Sequence, residues 1–486
     1  MREFTEQELV RREKLKNIKN PYPERFEVNT EIGDAKELPD ETKDIKVAGR
    51  IVLMRKMGKM SFLTIGDITG RIQISVKMDM IGEEAYQEFK QNFDLGDFIG
   101  VEGEVFTTHT GEKTIRASQI TFLGKALKPL PEKFHGLEDQ ELIYRERYVD
   151  LIMNEDEKKK FLFRSAFIRE VRTYLNEKGY IEIETPILNN KASGASAKPF
   201  ITHHNALDID VYLRIAPEMY LKRAIVGGFT KVFEFARCFR NEGMDATHLQ
   251  DFTMLEGYGA YRNYKDNMAF LKDMLQTVIS KIFGTLCIQV GDKMVDLSGE
   301  WPTVSFRELI LQYADIDIFV DDTAEKLLQK IVEKKIEIDS AVPLENLAYA
   351  NLAGQLYKKV ARPHLVNPVF LVEHPISLSP LARANDENPN ITDRFQLVIN
   401  GAEIINAYSE LVDPQEQERR LEEQAKLKAG GDEEAMPMDY DYISAMEYGM
   451  PPISGWGIGI DRLIQLLTAS DNIKDVVLFP LMRPKD

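Results

Sequence analysis

The hydrophobic periodicity of the chain changes near residue 125, and this change constrains the fold more than any other feature. Residues 45–125 contain five short segments rich in β-branched and aromatic residues, separated by turn residues such as Thr110-Gly111. Residues 158–178 instead carry the spacing of a long amphipathic helix, which ends at Gly179 and is followed by a strand. The chain is therefore predicted to join a small all-β domain to a larger domain of mixed helices and strands.

These patterns predict a domain organisation for the 486 residues. We expect a helical extension over 1–44, a five-stranded barrel over 45–125, a linker over 126–150 and an α+β domain over 151–486. Residues 306–361 have a helical pattern and are predicted to be an insertion in that domain. Five short strands in about 80 residues favour the OB-fold, whose second and third strands commonly bind nucleic acids.

Composition excludes several functional classes. The chain carries 62 basic and 79 acidic side chains, a net charge of −17, which argues against broad non-specific binding to DNA. Two cysteines cannot form a disulfide framework, and the seven histidines lack the spacing of zinc ligands. No apolar run approaches the ~18 residues of a membrane span. We therefore expect a protein of the reducing cytoplasm with no membrane partner.

Residues 231–261 have the pattern of an antiparallel hairpin with functional side chains on one face. Strand alternation places Arg240 with Cys238 on the first strand, and Phe252, Glu256 and Tyr258 together on the second. An arginine fork can bind an anion, a phenylalanine can stack on a flat group, and Glu and Tyr can hold an ammonium group. The alternative interpretation is a solvent-exposed sheet face that carries salt bridges.

A second segment, residues 455–463, places three glycines on one face of a strand, where a flat group can approach the backbone. Asp461 is predicted to cap the following helix, and Arg462 begins that helix. Tight sheet packing explains the same glycines. The spacing matches neither the dinucleotide-binding motif nor the P-loop, so any ATP site here must be of another type.

A third segment places polar groups inside an apolar strand, at Glu403, Asn406 and Glu410. Such groups are costly to bury unless they meet a cation or hydrogen-bond partners. Glu403 differs in parity from the other two, so a regular strand would send it to the opposite face. Either a β-bulge corrects the parity or the segment serves two sides.

Together these segments resemble the three motifs of class II aminoacyl-tRNA synthetases. The helix and strand that end at Pro186 resemble motif 1, residues 231–261 resemble motif 2, and residues 455–463 resemble motif 3. An N-terminal OB-fold places the resemblance in subgroup IIb, the lysyl, aspartyl and asparaginyl enzymes. Longer strings, such as residues 198–223 and 447–452, are similar to the lysyl members.

The resemblance implies an antiparallel catalytic sheet flanked by helices, usually in a homodimer. It implies a ligase that activates lysine with ATP and Mg²⁺ to lysyl-adenylate and transfers the lysyl group to the 3′ end of tRNA(Lys). No protein nucleophile is required, because the chemistry rests on positioning and electrostatics.

By the same resemblance, the lysine-binding residues are expected to meet the two ammonium groups and the carboxylate of the substrate. Gly194 and Glu218 would hold the α-ammonium, Glu410 and Tyr258 the ε-ammonium, and Arg240 the carboxylate and the α-phosphate. Glu256 and Asn406 complete the implied lysine-binding set: Gly194, Glu218, Arg240, Glu256, Tyr258, Asn406 and Glu410.

The resemblance also implies a nucleotide subsite. Phe252 and the guanidinium of Arg462 would enclose the adenine, Glu242 and His248 would contact the nucleotide, and Glu403 would hold Mg²⁺. The implied ATP-binding residues are Arg240, Glu242, His248, Phe252, Glu403 and Arg462, and the implied catalytic residues are Arg240, Glu242 and Arg462.

The barrel would bind the anticodon. The candidate contacts on strands 1 to 3 are Arg55, Phe62 and Gln73, since this face of an OB-fold commonly binds nucleic acids. A base stacked on an aromatic ring such as that of Phe62 contributes about 1–3 kcal/mol. An ordinary hairpin with one exposed aromatic side chain explains the same pattern.

Motif 1 would supply the dimer interface. The apolar face of the helix, which includes Phe167, Val171 and Tyr174, could meet a partner subunit, although an intrachain core explains it equally well. The full candidate set on this face is Phe161, Phe163, Phe167, Val171 and Tyr174.

Two alternatives remain open at this point. An aspartyl- or asparaginyl-type ligase would need cations around the substrate side chain, whereas the candidate pocket collects glutamates. A catalytically silent paralogue that binds tRNA or nucleotide is encouraged by Gln396, which occupies a position that is usually acidic in the family. The presence of Arg240, Glu403 and Arg462 opposes it.

Overall fold

The computed structural model describes residues 3–131, 137–191, 193–195, 197–340, 343–429 and 435–485. The chain forms two units, Met1–Lys158 and Lys159–Asp486. The predicted linker over 126–150 lies in the first unit, and its residues 132–136 are outside the described residues.

The first unit contains a closed barrel of five strands in the order β1-β2-β3-β5-β4, which confirms the predicted OB-fold. Alternate side chains such as Leu63 and Ile65 of β2 fill the barrel interior, as the period of two requires. The strands are β1 Ile45–Lys56, β2 Met60–Gly66, β3 Arg71–Lys77, β4 Phe98–Thr107 and β5 Lys113–Gly124. The helices are α1 Glu6–Lys16, α2 Ile32–Glu37, α3 Met78–Ile81, α4 Glu83–Asn92, α5 Gln140–Arg145 and α6 Arg147–Met153. Helix α7, Glu155–Glu177, continues into the second unit.

The candidate anticodon residues lie outside the barrel core. Arg55 of β1 is opposite Phe62 of β2, and Gln73 of β3 is opposite Thr64. Arg55 is exposed, and Phe62 and Gln73 are partly exposed. Gln73 donates a hydrogen bond from Nε2 to Oγ1 of Thr114 at 3.0 Å, which fixes the direction of its amide.

The second unit is built on an eight-stranded sheet in the order β14-β15-β16-β17-β18-β11-β10-β6. All its neighbouring strands are antiparallel except the pairs β6–β10 and β14–β15, so the predicted antiparallel catalytic sheet is confirmed. Its strands are β6 Ile181–Glu182, β10 Lys231–Phe239, β11 Asp251–Ala260, β14 Thr303–Ser305, β15 Val369–Val372, β16 Arg394–Ile399, β17 Ala402–Ser409 and β18 Ile453–Gly459. Two small sheets comprise β7 Leu188–Asn189, β8 Ile201–His204 and β9 Ile209–Leu213, and β12 Cys287–Val290 with β13 Lys293–Asp296.

Helices flank this sheet. They are α8 Glu218–Val226, α9 Tyr264–Phe283, α10 Phe306–Ala314, α11 Ala324–Glu333, α12 Tyr349–Val360, α13 Pro414–Ala429, α14 Tyr440–Glu447 and α15 Ile460–Leu467. Short 3₁₀ helices span Leu344–Asn346, Arg362–His364, Ile376–Leu378 and Ile473–Val476. Helices α10, α11 and α12 lie within the span predicted as an insertion and share a separate apolar core.

The main core lies between the sheet and helices α7, α9 and α15. Phe167, Val171 and Tyr174 of α7 belong to this core, each no more than 6% exposed. The intrachain interpretation of the motif 1 helix therefore holds for these three side chains, which are not available to a partner. Among the described residues, no helix has the length and apolarity needed to cross a membrane.

Candidate active site

A cavity of about 390 Å³ opens on strands β11, β18 and β17 of the second unit. The register of the three strands aligns Glu256 with Gly457 and Asn406, and Tyr258 with Gly455 and Tyr408. All six of these residues line the cavity. A volume of this size is typical of small-molecule sites, so the sheet presents a pocket rather than a flat face.

The motif 2 hairpin has the predicted register. Cys238 is opposite Phe252 and Glu234 is opposite Glu256, so the two polar sets share one face. Glu234 pairs with Arg214 at 2.6 Å, and there the salt-bridge interpretation holds. Burial raises the pKa of the Cys238 thiol to about 12, so this cysteine is neutral and unsuited to nucleophilic chemistry.

Gly455 is required by close approach rather than by backbone strain. A Cβ at this position would lie 2.2 Å from Cε1 of Tyr258 and 2.5 Å from Oε1 of Glu410. Any side chain at position 455 would displace the side chains of Tyr258 and Glu410, and the contact between Glu410 and Gly455 would be lost.

A β-bulge resolves the parity of Glu403. The register between β16 and β17 shifts, so that Leu397 pairs with Ile405 but Val398 pairs with Glu403. The bulge places Glu403 on the same face as Asn406, and both line the cavity. Of the two possibilities that the sequence left open, the bulge is correct for these two residues.

One end of the cavity is acidic and almost completely buried. Glu218, Glu256 and Tyr258 line it with exposures of 5%, 5% and 3%. Tyr408 donates a hydrogen bond from its hydroxyl to Oε1 of Glu218 at 2.7 Å, and Tyr258 donates to Oε2 of Glu256 at 3.4 Å. Burial and the nearby Glu218 raise the pKa of Glu256 well above its usual value. This end is therefore suited to ammonium groups, which restore the ionised carboxylates.

Glu410 lies one layer deeper than the other acidic residues. It does not line the cavity, and its Oε2 lies 2.5 Å from Nζ of Lys222, a side chain with no solvent exposure. Burial raises the pKa of Glu410 to about 8, although the Lys222 ammonium opposes this shift. Glu410 therefore lies behind Gly455, outside the cavity lining.

The other end of the cavity is cationic. Arg240 follows β10, and its guanidinium lies 5.1 Å from the ring centroid of Phe252. The Arg240 Nε is buried, and among the described residues it has no hydrogen-bond partner. Arg462 donates from Nη1 to the backbone oxygen of Glu403 at 2.9 Å, and its Nη2 lies 3.4 Å from Nε2 of His248.

The helix that carries Arg462 is not capped as predicted. Its N-cap is Gly459, and Asp461 lies inside α15. Asp461 accepts a hydrogen bond from the backbone N–H of Thr253 at 2.7 Å and pairs with Arg164 of α7 at 2.6 Å. The predicted cap is wrong because this carboxylate is used to tie β11 and α7 to the motif 3 helix.

Comparison with known sequences identifies the family. Residues 139–483 match the family of tRNA synthetases class II (D, K and N), and residues 45–123 match the OB-fold nucleic acid binding domain. The chain is 44% identical to a lysine–tRNA ligase of Thermosipho africanus (strain TCF52B), over 100% of this chain and 97% of that protein. It is 46% identical to a lysine–tRNA ligase of Histophilus somni (strain 2336), over 98% and 97% of the two chains.

This chain is a class II tRNA synthetase. A third relative, a lysine–tRNA ligase of Bacillus cereus (strain B4264), is 43% identical over 99% of this chain and 98% of its own length. The matches cover both units, so the resemblance inferred from the three motifs is confirmed for the whole chain.

Within this synthetase fold, the cavity brings together most of the residues that the motifs implied. The lining residues from the implied set are Gly194, Glu218, Arg240, Glu242, His248, Phe252, Glu256, Tyr258, Glu403, Asn406 and Arg462. Of the implied catalytic-domain set, Glu410 alone is absent from the lining. Glu242 and His248 are exposed, whereas the acidic residues at the opposite end are buried.

Two cationic residues of this region were missed by sequence reasoning. Arg394 lines the cavity and donates from Nε to Oδ1 of Asn406 at 2.8 Å, which directs the Asn406 amide. Lys222 lies behind Glu218. The resemblance to the three motifs assigns a role to neither residue. Their contacts with Asn406, Glu218 and Glu410 form only when distant segments fold together.

The site fits a metal only with help from a substrate. Across the described parts of the chain, no group of three or more His, Cys, Asp or Glu side chains could hold a metal ion. The distance between Oε1 of Gln396 and Nε2 of His374 is 3.2 Å, so the amide oxygen of Gln396 is engaged in a hydrogen bond with this histidine. Glu403 therefore provides one carboxylate oxygen donor, a set that suits Mg²⁺ bound through one protein ligand, water and substrate phosphates.

Proposed function

We propose that this synthetase is a lysine–tRNA ligase that uses ATP to form lysyl-adenylate and transfers the lysyl group to tRNA(Lys). The observation that carries the proposal is the polarity of the cavity. Buried Glu218 and Glu256 with Tyr258 occupy one end, and Arg240 with Phe252 and Arg462 occupies the other. Lysine has two ammonium groups for the acidic end and a carboxylate for Arg240.

The alternatives fit this polarity less well. Aspartate would place a carboxylate among buried glutamates, and asparagine would leave those glutamates without a cation. A silent paralogue is opposed by the position of Arg240, Glu403 and Arg462, all of which line the cavity. The names of the three relatives also support lysine.

Arg240 is the residue best placed to act on the reacting atoms. In the activation step, a lysine carboxylate oxygen forms a bond to the α-phosphorus of ATP, the bond from that phosphorus to its bridging oxygen breaks, and pyrophosphate leaves. The Arg240 fork can hold the attacking carboxylate and the α-phosphate together and stabilise the charge that develops between them. Glu242 and Arg462 complete the proposed catalytic set.

The remaining residues orient the substrates. The Gly194 backbone and Glu218 are proposed to hold the α-ammonium, with Asn406 beside them, and Tyr258 and Glu256 to hold the ε-ammonium, with Glu410 behind them. Phe252 and Arg462 are proposed to enclose the adenine, near His248. Mg²⁺, held by Glu403, would neutralise phosphate charge when bound.

Charging of a tRNA pool tests the proposal against its alternatives. Purified protein is incubated with unfractionated tRNA, ATP, Mg²⁺ and radiolabelled lysine, aspartate or asparagine in separate reactions. We expect acid-precipitable label with lysine alone. Label from aspartate or asparagine would favour the related ligases, and no label from any of the three would favour the silent paralogue.

Lysine binding is expected to strengthen as the pH rises from 6.5 to 8.5. Burial raises the pKa of Glu256, which lines the cavity, well above its usual value, and it raises the pKa of the deeper Glu410 to about 8. Both carboxyls are therefore partly neutral at low pH, whereas an ammonium ligand stabilises their ionised forms. Lys222, Tyr258 and Tyr442 face the Glu410 carboxyl, and the two tyrosines stay neutral in this range because burial raises their pKa values. Calorimetric titration with lysine should show a Kd that falls by up to about tenfold per pH unit below pH 8. Glu410→Gln should flatten the profile, and a constant wild-type Kd would contradict this prediction.

The barrel is proposed to bind the anticodon through Arg55, Phe62 and Gln73. Phe62→Ala should raise the KM for tRNA roughly tenfold or more, because a stacked base is worth about 1–3 kcal/mol, and should leave lysine activation without tRNA unchanged. Phe106→Ala is the matched control, because Phe106 lies on β4 beneath the guanidinium of Arg116. Equal loss of charging and activation in Phe62→Ala would instead make Phe62 a structural residue.

The synthetase is proposed to be a cytoplasmic homodimer. The small sheet of β7, β8 and β9 and its flanks expose apolar side chains at Ile187, Leu188, Ile201 and Leu207, between 43% and 64% accessible. An exposed apolar group of this kind is typical of a protein interface. Light scattering at low micromolar concentration should report about twice the chain mass of 55.7 kDa, and a mass of one chain would contradict the dimer.

A further inference from the structure

A buried lysine of the protein lies directly behind the acidic end of the cavity. Lys222 of α8 is completely buried, and its Nζ lies 2.5 Å from Oε1 of Glu218 and 2.5 Å from Oε2 of Glu410. Glu218 precedes Lys222 by one helical turn, whereas Glu410 directly follows β17. One ammonium group therefore joins two elements that carry candidate substrate contacts.

The surroundings of Lys222 leave it no contact with solvent. The rings of Tyr258, Tyr408 and Tyr442 surround its Nζ at centroid distances of 6.0, 5.6 and 5.8 Å. Burial lowers the pKa of the Lys222 ammonium, but Glu218 and Glu410 outweigh burial and hold this pKa well above its usual value. The side chain is therefore a permanent cation at neutral pH.

With lysine bound and the three carboxyls of this region ionised, the charges balance when Lys222 is counted. Three buried carboxyl groups, Glu218, Glu256 and Glu410, meet at the acidic end. The substrate lysine brings two ammonium groups, and its carboxylate belongs with Arg240. Uncompensated charge is costly in a buried site, so the third carboxylate needs a cation that does not come from the substrate.

We propose that Lys222 is a resident ammonium that positions Glu218 and Glu410 and sets the charge of the pocket to match the two ammonium groups of lysine. This inference rests on the proposed function. Lys222 does not line the cavity, so it acts through the two glutamates as a positioning residue that determines specificity. Because Oε1 of Glu218 accepts hydrogen bonds from both Lys222 and Tyr408, two donors fix the orientation of this carboxylate.

A purely structural ion pair and a positioning ammonium predict different results. If Lys222 only stabilised the fold, its removal would lower the melting temperature and leave the KM for lysine unchanged. If Lys222 sets the pocket charge, its removal leaves one excess buried carboxylate, which takes up a proton or attracts another cation. A small ammonium ion supplied in solution should then replace the lost group.

The test is chemical rescue of Lys222→Ala, measured by lysine-dependent ATP–pyrophosphate exchange. We expect the KM for lysine to rise at least roughly 30-fold, with a smaller change in kcat. Methylammonium chloride should restore a large part of the loss in Lys222→Ala, whereas potassium chloride and tetramethylammonium chloride at equal ionic strength should not. Lys222→Met, which fills the space without a charge, should show the same rise in KM and no rescue.

Lys125→Ala is the matched control. Lys125 is also a buried lysine between two carboxylates, with Nζ 2.6 Å from Asp94 and 2.8 Å from Asp97, but it lies in the barrel unit. Its removal should lower stability without changing the KM for lysine, and methylammonium should have no effect on exchange.

The outcomes separate this inference from the proposed function. Wild-type exchange with lysine tests the proposed function alone. With that exchange present, a KM for lysine within twofold of wild type in Lys222→Ala or Lys222→Met would overturn the role of Lys222. Equal recovery with methylammonium and with potassium chloride would overturn it as well, and if Lys222→Ala fails to fold, Lys222→Met alone decides through its KM.

Discussion

Replacing Arg240 with glutamine is expected to reduce lysine-dependent ATP–pyrophosphate exchange by ~10³-fold in kcat/KM. The buried Nε of this arginine has no hydrogen-bond partner among the described residues, and its guanidinium lies 5.1 Å from the Phe252 ring. Glutamine keeps a donor but loses the charge and the fork that can hold a carboxylate and a phosphate together. The substitution should therefore weaken substrate binding and reduce stabilisation of the transition state.

The matched control for this prediction is Arg307→Gln. Arg307 is an arginine of the same unit that pairs with Asp317 and does not line the cavity. It should retain exchange within about twofold of wild type, since surface ion pairs contribute ~1 kcal/mol or less. If Arg240→Gln kept more than a tenth of the wild-type kcat/KM, the charge that stabilises adenylate formation would have to come from another residue, and Arg394 would be the next candidate.

Replacing Glu403 with glutamine is expected to abolish adenylate formation at ordinary Mg²⁺ concentrations, a loss of roughly 10²-fold or more, because a catalytic metal supplies several kcal/mol of charge stabilisation. The β17 bulge brings the carboxylate of Glu403 into the cavity lining, and the neighbouring Gln396 amide is engaged with His374. A Mg²⁺ titration of this variant should show a higher Mg²⁺ concentration for half-maximal exchange than in the wild type, with part of the rate recovered at high Mg²⁺.

Two comparison variants sharpen this test. Glu345→Gln removes an exposed carboxylate of the helical insertion and should leave the Mg²⁺ dependence unchanged. Gln396→Glu introduces a second carboxylate opposite Asn406 of β17 and should lower the Mg²⁺ concentration needed for half-maximal exchange, since each added carboxylate strengthens Mg²⁺ binding. Near-normal turnover of Glu403→Gln at low Mg²⁺ would show that the metal is held elsewhere.

The barrel and the central hairpin could be predicted from sequence because their signals are local. Alternation with a period of two fixes which side of a strand each residue occupies, so the five barrel strands and the shared face of Phe252 and Glu256 follow from short windows. The bulge at Glu403 was one of two possibilities, because parity shows that a strand is irregular without showing how.

The features that sequence analysis missed or left open depend on partners from distant segments. The apolar face of α7 indicates burial but not against what, and the structure places Phe167 in the core of its own chain. Asp461 is of a residue type that commonly caps helices, but its actual partners, Thr253 and Arg164, are brought to it by tertiary structure. In the sequence, Lys222 does not differ from an ordinary helical lysine, because its partner Glu410 lies nearly 190 residues away.

The decisive measurement is ATP–pyrophosphate exchange by the purified wild-type protein with Mg²⁺, carried out separately with each of the twenty amino acids. The polarity of the cavity predicts exchange with lysine and none above background with aspartate or asparagine. Exchange with another amino acid would show that the acidic end does not select an ammonium side chain. Absence of exchange with all twenty, in a folded protein that binds tRNA, would contradict the proposed activity and leave a tRNA-binding paralogue.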